Sequence, residues 1–310
     1  MKPFRITFIL CAFTVFSCQN YDLNKDSVTS GKLKIGIDES YSLMMDSQLF
    51  IFKQLYQHAD IQSTYAAEGD IIKALMDDSI QSAVICRPLN EKELEYFKSI
   101  QRLPESTKIA VDAVALIVNP ANMDSTFSME QLTRMFNGQD TSWKQINPNS
   151  SLGKINIVFD NQRSCNERTI REKFVPSGNL PTNCFAVHSN QEVIDYVNTN
   201  KNAVGIISVS WISDKDDPTS MAFLEKIKVV GIVEPKNTEK PDLARKPFQA
   251  YIYDGSYPLC RDVYIIRTGL RGTLGTGFAS HVAGEKGQLI IHKMGMVAAN
   301  APTRIVKIVE

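Results

Sequence analysis

The chain has 310 residues, of which 43% are hydrophobic and 22% are charged, as is typical of a globular protein with more than one small core. Lysine plus arginine and aspartate plus glutamate both number 34, so there is no excess of positive charge to bind nucleic acid or an anionic membrane. We therefore expect no nucleic-acid partner, and any charged ligand must be bound by a local site.

A basic and then apolar segment at the N-terminus predicts export. Lys2 and Arg5 precede residues 6–16, which carry no charge and are too few to span a bilayer as a helix. We therefore interpret residues 1–17 as a signal peptide that is removed from the mature protein.

A cysteine at the end of this segment predicts a lipid anchor. Cys18 follows Val15-Phe16-Ser17 and precedes a polar stretch, as in bacterial lipoproteins. We expect Cys18 to be lipidated, residues 18–31 to form a tether, and the protein to be anchored in the bacterial cell envelope facing the periplasm. Because Phe16 is larger than the residue usual at its position, an ordinary signal peptide cleaved nearby is the alternative.

The first part of the mature chain alternates strand patterns with helix patterns. Short apolar runs bounded by polar residues predict strands, and apolar residues three and four positions apart predict helices. Repeated βαβ units predict a mostly parallel sheet with helices on both faces. The predicted strands are 32–38, 61–66, 81–86 and 108–119, and the predicted helices are 43–58, 70–77 and 90–99.

A second α/β series follows Pro120. Its predicted helices are 129–136, 166–174 and 191–199, and its predicted strands are 154–159, 184–188 and 203–209. The pattern then becomes less regular, with a polar turn and a mobile loop rich in proline and lysine. The turn is 214–218 and the loop 234–247, followed by strands at 249–253, 261–266 and 304–309 and a helix at 274–292 that is interrupted by Gly284 and Gly287.

Two such series followed by a return segment predict two lobes. Residues 32–119 and 248–310 form one lobe and residues 120–247 the other, with chain crossings near Asn119 and Phe248. Ligands of such sheets bind at the carboxyl ends of the strands, so we expect a site between the lobes.

The segment 157–171 predicts an anion site in the second lobe. A strand leads into a short loop, and Ser164, three residues before Glu167, predicts a capping box that starts a helix. Free backbone N–H groups and the helix dipole favour an anion there, and Arg163 and Arg168 could add contacts. The alternative is a well-capped helix with solvated arginines. The candidate ligands of this segment are Ser164, Cys165, Asn166 and Arg168.

Polar loops follow the first three predicted strands. Because these strands are neighbours, we expect Ser40, Gly69 and Arg87 to lie at the same edge of the sheet and to contact one ligand. The alternative is that each loop is a plain turn or N-cap and that Arg87 forms a surface ion pair.

No metal, cofactor or enzyme signature is present in the sequence. The four histidines lack metal-ligand spacing, and there is no glycine-rich nucleotide loop. A nucleophile at Cys86 or Cys165 with His188 as base is a weaker alternative, because a thiol at a helix start can have a lowered pKa. The pairing of Cys86, Cys165, Cys184 and Cys260 is left open, and we expect a protein that is not an enzyme.

Several segments along the mature chain together carry a resemblance to a known family. They are Ala67-Glu68-Gly69, Cys86-Arg87-Pro88-Leu89, residues 112–119 and 160–168, Trp143, Gly205 and Tyr257-Pro258-Leu259-Cys260-Arg261-Asp262. In these segments the chain resembles the phosphate-binding proteins of bacterial Pst-type ABC transporters, most closely the lipoprotein branch of Bacteroidetes-type organisms. The resemblance implies an α/β, type II periplasmic-binding-protein fold with two lobes, a central cleft and two interlobe crossings. It also implies a protein that delivers its ligand to ABC permease subunits without chemistry, and we expect a monomer.

Two segments depart from the family pattern. Its phosphate loop usually reads Ser-Gly-Thr, where this chain has Ser164, Cys165 and Asn166, and Cys86 and Arg87 stand where phosphate-specific members have an aspartate before a Pro-Leu turn. A change from acceptor to donor favours a more fully ionised anion or another ligand. We predict a small anion, with phosphate as the expected ligand. The alternative is a receptor-like lipoprotein that has lost its ligand and acts as an envelope sensor or interaction protein.

Overall fold

The computed structural model describes residues 26–214, 216–233 and 243–300. The predicted signal peptide, Cys18, most of the predicted tether and the predicted strand 304–309 lie outside the described residues, as does most of the loop 234–247. Within the described ranges, no helix combines the length and apolar character needed to cross a membrane.

The first part of the chain alternates strands and helices as predicted, with ends that differ by at most three residues. Its helices bury one apolar face each, as the residues three and four positions apart require. In chain order the elements are β1 (Gly31–Asp38), α1 (Ser42–Leu55), β2 (Ala59–Ala66), α2 (Glu68–Met76), β3 (Ser82–Ile85), α3 (Glu91–Ser99) and β4 (Glu105–Val118).

The second series also follows the prediction and adds short elements. Its elements are β5 (Thr126–Ser128), α4 (Met129–Phe136), α5 (Trp143–Ile146), β6 (Asn156–Phe159), α6 (Cys165–Phe174), β7 (Cys184–Ala186), α7 (Asn190–Thr199) and β8 (Ala203–Ser208). The remaining elements are α8 (Pro218–Lys226), β9 (Lys228–Val229), β10 (Gly231–Val233), α9 (Gln249–Tyr253), β11 (Cys260–Arg267), α10 (Leu274–Ala283), α11 (Glu285–Lys293) and β12 (Val297–Ala298). The predicted break in the helix 274–292 is confirmed at Gly284, between α10 and α11. The predicted break at Gly287 is wrong, because Gly287 lies inside α11, where it is buried.

The prediction of a strand at 249–253 is wrong, because this segment forms the short helix α9. The backbone N–H of Ile252 donates to the carbonyl of Phe248 at 3.1 Å, and Ile252 is the side chain that α9 buries. Its tyrosines favour strands, but strand preference depends on a free neighbouring strand. The nearby β4 already pairs with β11 along residues 105–113 and with β8 along residues 114–118, and it also pairs with β12 at residues 110–111 and with β9 at residues 117–118.

Ten strands form one mixed sheet with the main order β2-β1-β3-β11-β4-β8-β6-β7, and β9 and β12 pair with β4 beside this order. β5 and β10 form a separate two-stranded parallel sheet. β1 is parallel to β2 and β3, and β6 is parallel to β7 and β8, as the βαβ pattern predicts. The sheet departs from the predicted parallel order in its centre, where β4 and β11 run antiparallel to each other and to their neighbours. β11 is the strand of the return segment, which enters the sheet from the opposite direction.

β4 belongs to both halves of the sheet. Its residues 105–113 pair with β11, and its residues 114–118 pair with β8. One long strand therefore joins the two parallel groups, and the loops that follow β1, β2 and β3 contact the loop that follows β6.

Gly205 of β8 lies in a tightly packed part of the core. A Cβ atom there would lie 2.7 Å from Val197 Cγ2 and 2.8 Å from both Ile117 Cγ1 and Val193 Cγ1. We expect Gly205→Ala to lower the free energy of unfolding by about 1–3 kcal/mol, because the added methyl group overpacks the core. Urea unfolding followed by tryptophan fluorescence measures this change.

The matched control is Gly153→Ala. Gly153 is exposed, and its added Cβ would meet only Asn202 Nδ2, at 3.6 Å. We expect a change within about 0.5 kcal/mol there. Equal losses in the two variants would contradict the packing argument.

Candidate functional site

Polar loops from the two halves of the sheet meet at the carboxyl ends of the strands. Asp38 ends β1 and residues 39–40 follow it, residues 67–69 and 86–87 follow β2 and β3, and residues 160–164 connect β6 to α6. The contact region between these loops is called the cleft below. It is the edge at which the sequence predicts the ligand site.

The Asp38 carboxylate lies at the centre of the cleft. Asp38 is fully buried, and its Oδ1 accepts a hydrogen bond from the backbone N–H of Ser40 at 3.0 Å. Its Oδ2 accepts from the backbone N–H of Glu68 at 2.9 Å and from that of Cys165 at 3.0 Å. Two main-chain donors from opposite sides of the cleft thus converge on one carboxylate oxygen.

Helix α6 begins at the predicted N-cap, but the predicted capping box is incomplete because the Glu167 carboxylate accepts from Arg171 Nε at 3.0 Å and not from the backbone of Ser164. The Ser164 hydroxyl accepts from the backbone N–H of Glu167 at 3.1 Å, which makes Ser164 the N-cap, and it donates to Asp160 Oδ1 at 2.7 Å. Arg163 has a φ of 61°, in the left-handed region, which turns the chain sharply into the helix. This turn directs the N–H of Cys165 towards Asp38.

The structure brings most of the predicted ligands together. Ser40 donates its hydroxyl to Asp160 Oδ2 at 3.3 Å, and the backbone N–H of Gly69 donates to the carbonyl of Arg163 at 3.1 Å. Asn166 is fully buried and donates from its amide to Asn190 Oδ1 at 3.1 Å. Ser40, Gly69, Ser164, Cys165, Asn166 and Arg168 all lie at the cleft.

The two predicted arginine ligands already have partners. Arg168 donates from Nε to Glu68 Oε2 at 2.6 Å and from a terminal nitrogen to Cys86 Sγ at 2.9 Å. Arg87 donates to both carboxylate oxygens of Glu93 at 2.7 Å, and its Nε is 3.6 Å from Glu68. Arg87 therefore lies at the margin of the cleft, in the ion pair that was the alternative for it.

Buried carboxylates are the cleft residues that the sequence analysis missed. Asp38 and Asp160 are fully buried and Glu68 is 1% exposed, while Glu39 Oε2 accepts from the backbone N–H of Asn190 at 2.9 Å. Asp38 is the last residue of the buried strand β1 and Asp160 comes directly after the buried strand β6, and this position is a signal that could have identified them. These side chains supply hydrogen-bond acceptors, although the aspartate that the family has before its Pro-Leu turn is absent from this chain.

Burial makes several of these carboxylates weaker acids. Burial, and then the charge of Asp38, raises the pKa of Asp160 from its ordinary value of 3.8 to about 6. Burial raises the pKa of Glu39 from 4.5 to about 7, although hydrogen bonds from Asn190 oppose the change. Burial also raises the pKa of Glu68, against the opposing charge of Arg168. The cleft therefore takes up protons between pH 8 and pH 5.

The thiols of the cleft are not poised as nucleophiles. Cys165 is fully buried, and burial raises the pKa of its thiol well above 9.0, so the helix start does not lower it as the enzyme alternative requires. Cys86 is 5% exposed, whereas His188, the proposed base, is exposed. In the described part of the chain, Cys86, Cys165, Cys184 and Cys260 are free thiols.

One set of cleft atoms has the composition of a metal site but the wrong surroundings. A carboxylate oxygen of Glu68 and the sulfur atoms of Cys86 and Cys165 lie within 4.8 Å of one another. The Arg168 guanidinium donates to Glu68 at 2.6 Å and to Cys86 at 2.9 Å. A cation in that position would be repelled by Arg168, so these residues do not fit a metal.

Two α/β halves that share one strand and enclose polar groups at their strand ends define a binding protein of the type II periplasmic-binding fold. A family model described as a PBP superfamily domain matches residues 24–286, and the chain belongs to this superfamily. This membership confirms the predicted family and fold class and the prediction of a binding protein that is not an enzyme.

The chain is similar to proteins that are named for phosphate binding and phosphate transport. The phosphate-binding protein PstS of Borreliella burgdorferi is 22% identical over 219 residues, which cover 68% of this chain and 73% of that protein. One similar structure is that of a protein from Clostridium perfringens, assigned as a phosphate ABC transporter substrate-binding protein and solved with bound phosphate. Its TM-score is 0.70 at 18% identity, and the match covers 87% of this chain and 100% of the Clostridium perfringens chain. An ABC-type phosphate transport receptor from Vibrio cholerae has a TM-score of 0.64 at 21% identity, with coverage of 86% and 99%.

Proposed function

We propose that the chain is the solute-binding receptor of a phosphate-type ABC importer. It binds phosphate, or a similar small oxyanion, in the cleft and delivers it to permease subunits. The relatives are named as phosphate-binding proteins and phosphate transport receptors, which favours this function over the envelope-sensor alternative.

The observation that carries the proposal is the pair of backbone donors in the cleft. The N–H groups of Glu68 and Cys165 lie 2.9 and 3.0 Å from the same carboxylate oxygen of Asp38. Two amides that hold one anionic oxygen are an oxyanion-binding arrangement, and Cys165 adds the positive end of the α6 dipole. Ser164 and Arg168 lie beside them and supply a hydroxyl and a guanidinium that suit phosphate.

The proposal includes the organisation and location of the protein. Residues 32–119 and 248–310 form one lobe and residues 120–247 the other. The mature protein is a monomer, exported and held on the envelope by a lipid at Cys18, with residues 18–31 as tether. The basic and apolar segment before Cys18 supports the export and the anchor.

Titration calorimetry tests the function. The protein is the mature chain with Cys18→Ser, titrated at pH 6 with phosphate and then with sulfate. We expect phosphate to bind, and we expect Ser164→Ala to weaken binding about tenfold, because a hydrogen bond to a charged group contributes roughly 1.5–3 kcal/mol. Arg168→Ala is expected to weaken binding further, since it removes a positive charge from the cleft.

The matched control is Ser128→Ala at the start of α4. Ser128 accepts from the backbone N–H of Gln131 at 3.1 Å, the same distance as the bond between Ser164 and Glu167. Both variants therefore lose an equivalent helix cap, and only Ser164→Ala is expected to change phosphate binding. If folded protein shown to be free of phosphate gives no binding heat with any oxyanion, the proposed function is contradicted.

A further inference from the structure

We infer that the Asp38 carboxylate is an internal ligand of the cleft. It occupies the position of the anion and holds the two sides of the cleft together when no anion is bound. This inference rests on the proposed anion site and adds a residue that determines when the site is open and what it admits.

The first support is the set of donors that Asp38 uses. Glu68 and Cys165 donate from their main chains at 2.9 and 3.0 Å to Oδ2, and Ser40 donates to Oδ1 at 3.0 Å. These N–H groups belong to the strand-end loops and the helix start at which the fold places an oxyanion. A free phosphate cannot reach the amides of Glu68 and Cys165 while Asp38 occupies them.

The second support is the way in which Asp38 is attached. Ser40 and Glu68 lie on the same side of the cleft as Asp38, and Cys165 lies on the other side, 127 positions away in the chain. Asp38 keeps its Ser40 and Glu68 donors when the sides separate and loses only the Cys165 donor. As a tethered group it also loses little translational freedom on binding, so its effective concentration at Cys165 is high.

The third support is the charge around Asp38. Asp160 is fully buried beside it and shares Ser40 as a donor residue, and Glu68 is 1% exposed. A second anion placed next to the carboxylates of Asp38 and Asp160 would compete with them for the same donors and would be repelled by their negative charge in this buried environment. An incoming oxyanion must therefore displace Asp38 from the amides, and the closed cleft needs no ligand to neutralise those donors.

The test compares Asp38→Ala with the wild-type mature chain carrying Cys18→Ser, both free of phosphate. Small-angle X-ray scattering is expected to give a larger radius of gyration for Asp38→Ala, because the bond that bridges the cleft to Cys165 is lost. Hydrogen exchange at the backbone N–H of Cys165 is expected to be faster by about tenfold or more, as local opening predicts. Added inorganic phosphate is expected to close Asp38→Ala and to leave the size of the wild type unchanged.

The matched control is Asp70→Asn. Asp70 pairs with Arg163 across the rim of the cleft at 2.6 Å and is half exposed, so this variant removes one negative charge from the same edge without freeing the amides. It is expected to keep the wild-type size and the wild-type exchange rate at Cys165. Asp38→Asn keeps the volume and one oxygen acceptor, so it provides a folded comparison if the alanine variant is unstable.

The outcomes separate this inference from the proposed function. An unchanged radius of gyration and unchanged exchange at Cys165 in folded Asp38→Ala and Asp38→Asn would overturn the inference, whatever phosphate does. Phosphate binding by the wild type that is stronger than binding by Asp38→Asn would also overturn it, while leaving the receptor function intact. If no variant binds phosphate but Asp38→Ala opens, the inference holds and the phosphate function fails.

Discussion

Replacing Asp112 with alanine is expected to lower the free energy of unfolding by about 3–5 kcal/mol, because it leaves a buried guanidinium without its counter-ion. Asp112 of β4 is fully buried, and Arg261 of β11 is 7% exposed. Arg261 donates to Asp112 Oδ2 from Nε at 2.9 Å and from a terminal nitrogen at 2.8 Å. Ser208 of β8 also donates to this carboxylate at 3.0 Å, so the pair joins three strands of the sheet.

Urea unfolding followed by far-UV circular dichroism measures this loss, and Asp262→Ala is the matched control. Asp262 pairs with Lys108 between the same two strands at 2.6 Å, but both side chains are about 40% exposed, at 39% and 41%. An exposed pair contributes less than about 1 kcal/mol. The double variant Asp112→Leu with Arg261→Met removes both buried charges and is expected to recover part of the loss. A cost for Asp112→Ala no greater than that for Asp262→Ala would refute the argument.

The protein is expected to be more stable at pH 5 than at pH 8, by roughly 2–4 kcal/mol in the free energy of unfolding. The pKa of Asp160 is about 6 in the folded chain against an ordinary value of 3.8, and that of Glu39 is about 7 against 4.5. At a pH between the ordinary pKa and the raised pKa of each group, the folded chain holds a proton that the unfolded chain has released. The stabilising contribution of Asp160 and Glu39 is therefore complete below their ordinary pKa values and is lost as the pH rises through 6 and 7.

Other groups set the limits of this window. Asp78 and Asp195 have a lowered pKa because of their cationic partners, so their contribution is lost only below pH 4. Burial lowers the pKa of His281 from 6.5, which opposes the trend in part. Because Asp160→Asn leaves these groups in place, the difference in slope between wild type and Asp160→Asn reports the proton of Asp160 together with its effect on Glu39, whose pKa the charge of Asp160 raises.

Chemical unfolding at half-unit steps from pH 5 to pH 8 measures the slope. We expect Asp160→Asn to have a flatter profile than the wild type, because the amide does not titrate. Asp195→Asn is the control, since Asp195 titrates below this window and the slope should stay at the wild-type value. Parallel profiles for wild type and Asp160→Asn would show that the Asp160 proton is not linked to folding.

Local patterns predicted most of the elements because local hydrogen bonds and one-sided burial produce them. Helix α6 begins at the N-cap Ser164 that the sequence indicated, since its cap lies within three residues of its donor. Helix α8 was missed although it has the same kind of signal, an Asp217 N-cap followed by Pro218 at the first helical position. The segment 249–253 was predicted wrongly, because its conformation depends on whether β4 has a free edge.

The partners of charged side chains were less predictable than the elements. The sequence offers Arg87 and Arg168 as ligands, but it does not say which carboxylates lie within reach of them. Arg87 pairs with Glu93 on the next helix, and Arg168 pairs with Glu68, which is 100 positions away. Ion-pair choice depends on distances of a few ångströms, which only the packed chain fixes.

The sequence by itself determined the alternation of strands and helices, the start of α6 and the superfamily, because each depends on residues close together in the chain or on motifs read directly. Tertiary structure alone decided that Asp38, Asp160 and Cys165 meet. Ser40 contacts Asp160 across 120 positions and Asp38 contacts Cys165 across 127, so no local pattern encodes these contacts. They arise because β4 joins both halves of the sheet and brings the loop ends together, where buried N–H groups must find an acceptor.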